Sequence, residues 1–297
     1  MYNLIRIILM LVFLLGFAKA SFTLPIDLQL GARPQGMGGA FVAMVDDVNA
    51  VYWNPAGLTQ MRTFEAAFMH VTPFSVGETS IDFSSFAVPM SQTGAFGVSW
   101  IHQGAELEED RGATYKKSDM SEDTFVLSLA RKLTPDMSLG VNIKRLRIDS
   151  EIGGGGGFGY DLGLLYRVHN VAFEKLPFQT FSFGLMSRNL FTDLKDESVP
   201  ATMRMGVATK VYNGRVALAA DMEKKKEVNK VENSYQFHFG AETAITRNML
   251  LRLGNDDGDL TCGVGFLLLN WELDYAFYRI KEYDLDYSHR ISATLKF

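Results

Sequence analysis

The sequence predicts an all-β protein: an antiparallel outer-membrane barrel of about 14 strands, with a short helical plug near its N-terminus. Three observations predict this. Apolar and polar residues alternate with period two from Thr63 to Phe297. The alternating segments match the ~9–11 residues that a tilted strand needs to cross a bilayer. The connections between them also alternate in length, short at one end and long at the other, as in barrels with tight inner turns and long outer loops.

The candidate strands, in order, are Thr63–Val71, Thr79–Met90, Thr93–Gln103, Glu122–Arg131, Ser138–Asp149, Phe158–Val168, Thr180–Asn189, Ala201–Val211, Arg215–Met222, Ser234–Thr243, Asn248–Gly254, Leu260–Leu269, Trp271–Lys281 and Ser288–Phe297. With the first strand running outward, Ser91-Gln92, Tyr212-Asn213-Gly214 and Ala244–Arg247 are inner turns. Asn-Gly is a strong hairpin signal. The long polar stretches Gly104–Met120, Leu190–Pro200, Glu223–Asn233 and Glu282–Tyr287 are outer loops. His169–Phe178 is long for the inner side.

The two faces differ in chemistry. In the last strand Ile291, Ala293, Leu295 and Phe297 oppose Arg290, Ser292, Thr294 and Lys296. Tyr235, Phe237 and Phe239 oppose Gln236, His238, Gly240 and Glu242; Met203, Met205 and Val207 oppose Arg204, Gly206 and Lys210. Phe158, Tyr160, Leu162 and Leu164 oppose Gly159, Asp161 and Gly163, with Arg167 further along the polar face. A strand in lipid turns its apolar face outward. Asp161, Arg167, Arg204, Lys210, His238, Glu242, Arg290 and Lys296 are therefore the candidate lumen-facing groups. A soluble sandwich also alternates, but its outward face is polar. Here the apolar face is rich in Phe, Tyr and Leu and the other face in glycine. Closure also removes the strand edges.

Residues 1–20 read as a secretory signal peptide. One cation in Met1–Arg6 precedes the apolar run Ile7–Phe17, and Ala18-Lys19-Ala20 fits a small-x-small cleavage site. A retained anchor is the alternative, but the run is shorter than the ~20 residues of a spanning helix. The net charge of −5 leaves no basic footprint for nucleic acid. Cys262, the single cysteine, has no partner for an internal disulfide.

Residues 21–62 form the expected plug, and residues 63–297 the barrel. Gly36, Gly38 and Gly39 suit tight turns. Asp46-Asp47 would cap a helix over Val48–Trp53. The residue before a proline avoids the helical region, so that helix stops before Asn54. Asn54 then caps a second turn with Pro55 at its first position, and Gly57 permits the exit. Turns this short do not stand alone in water and need a packing surface.

The stretch GARPQGMGGAFVAMVDDVNAVYWNPAGL (Gly31–Leu58) resembles the N-terminal signature of PorV/PorQ-type outer-membrane proteins. FGYDLGLLYR (Phe158–Arg167), FSFGLMSRNL (Phe181–Leu190) and the closing ISATLKF extend the resemblance over most of the chain. That type is similar to the FadL fatty-acid channels. The resemblance implies a barrel of about fourteen strands plugged by a hatch holding the Asp-rich and Asn-Pro-Ala segment, here Asp46, Asp47, Trp53, Asn54 and Pro55. Phe297 resembles the signal read by the outer-membrane insertion machinery. The chain is short for the PorV type and lacks a clear fatty-acid-gating pattern.

Other motifs have plainer readings. Gly36-x-Gly38-Gly39 lacks the strand and βαβ context of a dinucleotide fingerprint. Gly153–Gly157 reads as a flexible outer loop rather than a nucleotide cradle. Asn255–Asp259 is a hairpin turn without the closing Glu of an EF-hand loop. Lys224–Lys226 reads as a solvated outer loop, with anionic headgroups as the alternative. The five histidines show no metal-ligand spacing, and there is no G-x-S-x-G. The strand methionines read as lipid-facing filler, with a greasy path as the alternative.

The expected function is non-enzymatic, without metal or cofactor, in the outer membrane of a Gram-negative-type bacterium. Partners are outer-membrane lipid, the insertion machinery, and either a hydrophobic small molecule or an exported protein. A hydrophobic-cargo channel requires an apolar pocket between plug and wall, and a lumen filled by charge weakens it. A PorV-like module would bind exported proteins through outer loops and conduct nothing. An envelope-supporting barrel is the third reading.

Overall fold

A computed structural model describes residues 29–72, 79–110, 115–150, 154–169, 178–194, 201–226, 233–279 and 287–297. The expected signal peptide, most of the long inner connection and parts of the outer loops lie outside the described residues. Fourteen strands close into one antiparallel barrel, each paired with its sequence neighbours and β1 with β14. They are β1 (Glu65–Val71), β2 (Thr79–Pro89), β3 (Gly94–Asp110), β4 (Tyr115–Lys132), β5 (Met137–Ser150), β6 (Gly155–His169), β7 (Phe178–Leu194), β8 (Thr202–Val211), β9 (Val216–Lys226), β10 (Asn233–Ala244), β11 (Met249–Asp256), β12 (Asp259–Leu268), β13 (Trp271–Arg279) and β14 (Tyr287–Lys296). The end where β1 begins carries the short turns and is termed the turn end; the other is the loop end.

Several strands outrun their alternation. β3 and β4 pair as far as Asp110↔Tyr115, so most of the expected outer loop Gly104–Met120 is hairpin. Gly155–Gly157 are not loop but pair with Ile148–Leu146 of β5. Lys224–Lys226 belong to β9 and pair with β10. The reason is common to all three. A ladder is held by backbone N–H and C=O groups, which every one of these residues has, and beyond the bilayer it needs no apolar face. At Asp257-Gly258, φ values of 48° and 97° make a two-residue turn of the primed kind.

The outward face is apolar around the ring. Phe68, Phe86, Trp100, Phe125, Phe158, Phe237, Phe239, Leu253, Leu273 and Ile291 all stand exposed. Phe297 stacks on Phe64 with ring centroids 4.2 Å apart, and its N–H donates to the Phe64 carbonyl at the β1–β14 seam. An exterior this greasy is stable in hydrocarbon and a liability in water.

Gln29–Met61 lies inside the ring. Helix α1 (Ala32–Gly36) packs on β11–β14, while a 3-10 turn (Pro55–Gln60) packs on β2–β6 across the lumen. Between them stands a single helical turn, α2 (Ala50–Trp53). α1 falls where sequence alone suggested only glycine turns. α2 starts at Ala50, not Val48, and neither aspartate caps it. Instead the Asn49 N–H donates to Asp47 Oδ1, while Asp46 and Asp47 turn their other oxygens to Arg33. A buried guanidinium needs counter-ions more than a four-residue helix needs a cap. Asn54 does cap the 3-10 turn, accepting from the Ala56 N–H.

The inward face is not polar throughout. On β1–β4 it is mainly apolar: Met69, Val71, Ile81, Phe83, Ile101 and Val126 form one buried cluster with Leu30, Phe41, Val48, Val51, Trp53 and Leu58 of the plug. Alternation fails as a guide there because both faces of these strands are apolar, the outer one exposed and the inner one packed on the plug.

Candidate functional site

The site is the junction of plug and wall, and three devices build it. The first is a set of glycine seats. A Cβ on Gly140 would lie 2.2 Å from the Ala56 nitrogen, and one on Gly163 2.2 Å from Asn54 Oδ1. On Gly184 it would meet the Val42 oxygen at 2.4 Å, on Gly240 the Met37 oxygen at 2.4 Å, and on Gly254 the Gly38 nitrogen at 2.2 Å. Plug backbone thus rests directly on wall backbone in strands β5, β7, β10 and β11, and the Asn54 and Pro55 side chains rest on β6. This explains why glycine recurs on the inward face. Within the plug, Gly38 and Gly39 take φ values of +63° and +75°, which side chains disfavour. Gly36 lies against Gly263, and Gly57 leaves room for Val45.

The second device is charge. Arg33 in α1 bonds Asp46 at 2.9 Å, Asp47 at 2.6 Å and Glu242 of β10 at 3.1 Å. Glu242 is shared with Arg252 of β11 at 2.7 Å, and Arg252 also reaches Glu272 and Asp274. Lys296 bonds Glu272, and Lys210 bonds Asp46 at 2.7 Å. Arg204 donates to the Gly39 carbonyl and Glu223. His238 Nδ1 lies 3.1 Å from the Gly38 carbonyl and 2.8 Å from Asp256. Arg290 donates to the Gln29 carbonyl. Arg167 fans over the carbonyls of Ala43, Met44 and Val45. Asp161 faces Lys144 at 2.6 Å and takes a bond from Asn142, which also donates to the Val51 carbonyl.

The third device is the Asn54 amide, which donates to Val42 within the plug and to Leu164 on β6. Beside it, Trp53 is fully buried, donates to the Leu30 carbonyl at 2.8 Å and carries Arg204 over its ring at 5.0 Å.

Sequence reasoning passed over Arg33, Arg252 and Asp221, although all three are central. Asp221 accepts the N–H groups of Phe41 and Val42. Arg252 had a signal: it stands between Leu251 and Leu253, a charge in phase with the lumen. Asp221 had a similar signal, in phase with the buried Ala217 and Ala219 on β9, whereas Arg33 had none, because it lies outside any alternating strand.

A cavity of about 540 Å³ lies at the turn end of the plug. Its lining includes Arg33, Asp46, Glu65, Arg167, Lys210 and Lys296. It is a charged vestibule, not the apolar pocket a cargo channel was expected to show. The apolar contact between plug and wall lies instead on β1–β4 and is filled by side chains. Among the described residues no group of three or more His, Cys, Asp or Glu could hold a metal ion.

Burial by itself would raise the Asp46 carboxyl, but Arg33, Lys210 and Arg167 outweigh it and hold the group far below the usual carboxylate range. Burial would lower Arg33, but Glu242, Asp46 and Asp47 raise it well above its ordinary value. Because the Asp46 value is depressed on folding, its contribution is complete above the unfolded value of about 3.9 and disappears as pH falls below it. We expect the thermal midpoint of the detergent-solubilised barrel to drop as pH falls below about 4. Asp46→Asn should show a shallower drop. Identical pH curves for the two proteins would refute the assignment.

The fold and its plug define a class: closed fourteen-stranded barrels whose lumen is filled by an N-terminal hatch. An uncharacterised protein family, UPF0164, matches residues 17–151, a little under half of the chain. No curated protein matches the chain. Among solved structures, the chain is similar to the toluene transporter TbuX of Ralstonia pickettii, at TM-score 0.65 and 16% identity, covering 91% of this chain and 99% of that one. The P. putida toluene transporter TodX gives 0.64 and 14%, over 91% and 99%. A FadL homologue from Pseudomonas aeruginosa gives 0.62 and 11%, over 94% and 100%. At these identities the likeness is one of fold. The finer PorV/PorQ resemblance stays with the sequence motifs.

Proposed function

We propose that this chain is a non-enzymatic outer-membrane barrel of the PorV/PorQ and FadL-like kind, and that it handles hydrophobic cargo along one sector of its wall. The observation that carries this reading is the apolar cluster of β1–β4. It runs from Val71 and Ile81 near the loop end, through Phe83 and Ile101, to Phe41, Trp53 and Leu58 of the plug. The remaining wall presents most of the lumen's charge, which a greasy molecule avoids. TbuX and TodX are toluene transporters, which supports a small apolar substrate for a chain of this fold.

The test is uptake of labelled toluene by cells producing the barrel. Ile81→Glu or Phe83→Glu would place a carboxylate on the route and should reduce uptake by about tenfold or more, since desolvating it costs more than the ~1.4 kcal/mol of each factor of ten. Uptake equal with and without the barrel would sink the channel reading.

One observation favours a second reading. The ion network ties plug to wall at many points, and a charged lumen suits a barrel that binds exported proteins without conducting. In that case an exported protein copurifies with the barrel, and toluene uptake stays at background.

A further inference from the structure

The turn end carries a pattern that the plug does not use. Five turns there fall among the described residues, and in each the residue directly after the strand is apolar and exposed. These residues are Met90 after β2, Leu133 after β4, Tyr212 after β8, Ile245 after β10 and Leu269 after β12. Leu269, at φ 55°, is fully exposed. Nothing in a hairpin demands this. Turn positions favour Gly, Asn, Asp and Ser. Cations flank the tips: Arg131 and Lys132 beside Leu133, Arg215 beside Tyr212, Arg247 beside Ile245, and Arg62 just before β1. The side chains of Arg62, Arg131, Arg215 and Arg247 are exposed. Asp136, half-buried, is the one acid within the five turns. The loop-end turn Asp257-Gly258 has the opposite character, flanked by Asp256 and Asp259.

We infer that this rim is a collar for anionic phospholipid in the leaflet that meets the turn end. The collar rests on the membrane reading above and on the placement of two sets of side chains. The apolar tips continue the lipid-facing belt past the ends of the strands, so they reach the headgroup boundary rather than open water. The cations sit at that same level, where basic side chains attract anionic headgroups within a Debye length. A tip buried among acyl chains with a guanidinium a few residues away suits a phosphodiester headgroup bearing net negative charge. A zwitterionic headgroup offers the same acyl chains but no net attraction.

The purified barrel is reconstituted into phosphatidylcholine vesicles with and without phosphatidylglycerol, re-extracted and weighed by native mass spectrometry. We expect phosphatidylglycerol to be retained several-fold over phosphatidylcholine, with the preference falling as salt rises. The combined substitution Arg131→Gln, Lys132→Gln, Arg215→Gln and Arg247→Gln should abolish the preference while the barrel still inserts. A second variant, Leu133→Ser with Ile245→Ser and Leu269→Ser, keeps the cations and should reduce retention of both lipids. Equal retention of the two lipids by the natural chain overturns the collar and leaves the membrane reading standing. So does a preference unchanged by the four substitutions, the result expected if the rim docks an acidic protein instead. Failure to insert into either vesicle overturns both.

Discussion

Gly140→Ala should unseat the plug. The new methyl group would sit 2.2 Å from the Ala56 nitrogen and 2.3 Å from the Pro55 carbonyl carbon. Both are backbone atoms, so no rotamer change relieves the clash. The 3-10 turn is anchored on its other side as well, because Asn54 bonds Val42 and Leu164. Overpacking of this kind costs about 1–3 kcal/mol, and a backbone collision belongs at the upper end. Gly163→Ala should behave alike, with its Cβ 2.2 Å from Asn54 Oδ1. A lower thermal midpoint and a leakier barrel in planar bilayers are the expected readouts. Gly155→Ala is the control, since a Cβ there meets nothing within 4 Å. If Gly140→Ala and Gly155→Ala behave identically, the glycine seats have no role.

Arg33→Met should have the largest effect of any charge removal in the plug. The natural side chain serves Asp46, Asp47 and Glu242 together. Methionine fills much of the volume but leaves three carboxylates facing one another without it. Glu242 keeps Arg252 and Asp46 keeps Lys210, but among the ion pairs described Asp47 keeps none. Breaking a buried pair from one side costs about 3–5 kcal/mol. Arg33→Lys should recover part of this, since one ammonium cannot address three carboxylates in the geometry of a guanidinium fork. The expected signs are loss of the heat-resistant folded band on gels and increased conductance. A variant as stable and as tight as the natural protein would show that the network is dispensable.

Much of this molecule was legible in the residues. Alternation such as Arg290-Ile291-Ser292-Ala293 states which side meets lipid, because a strand's two faces have different solvents. Strand number followed from counting such segments. The break at Asn54-Pro55 was legible too, since a proline acts on its neighbour's backbone locally. The roles of Asp46 and Asp47 were not. Their sequence position suggested a helix cap, whereas their partners are Arg33 and Lys210. Ion pairing outweighs a cap when the guanidinium is cut off from water. The inward glycines were visible as a pattern but had no explanation until the plug backbone was found on them.

Sequence by itself determined the closed barrel with its apolar exterior and an N-terminal segment too weakly helical to stand alone. Both follow from local chemistry, the period of a strand and the stiffness of a proline. Only the tertiary structure decided that the lumen is divided, mainly apolar on β1–β4 and mainly charged elsewhere, with the plug's Val51 and Leu58 in the apolar cluster and Arg33 among the carboxylates. That division depends on which distant side chains meet, as Arg33 meets Glu242 and Asp221 meets the Phe41 N–H. No periodicity encodes a meeting between residues so far apart in the chain.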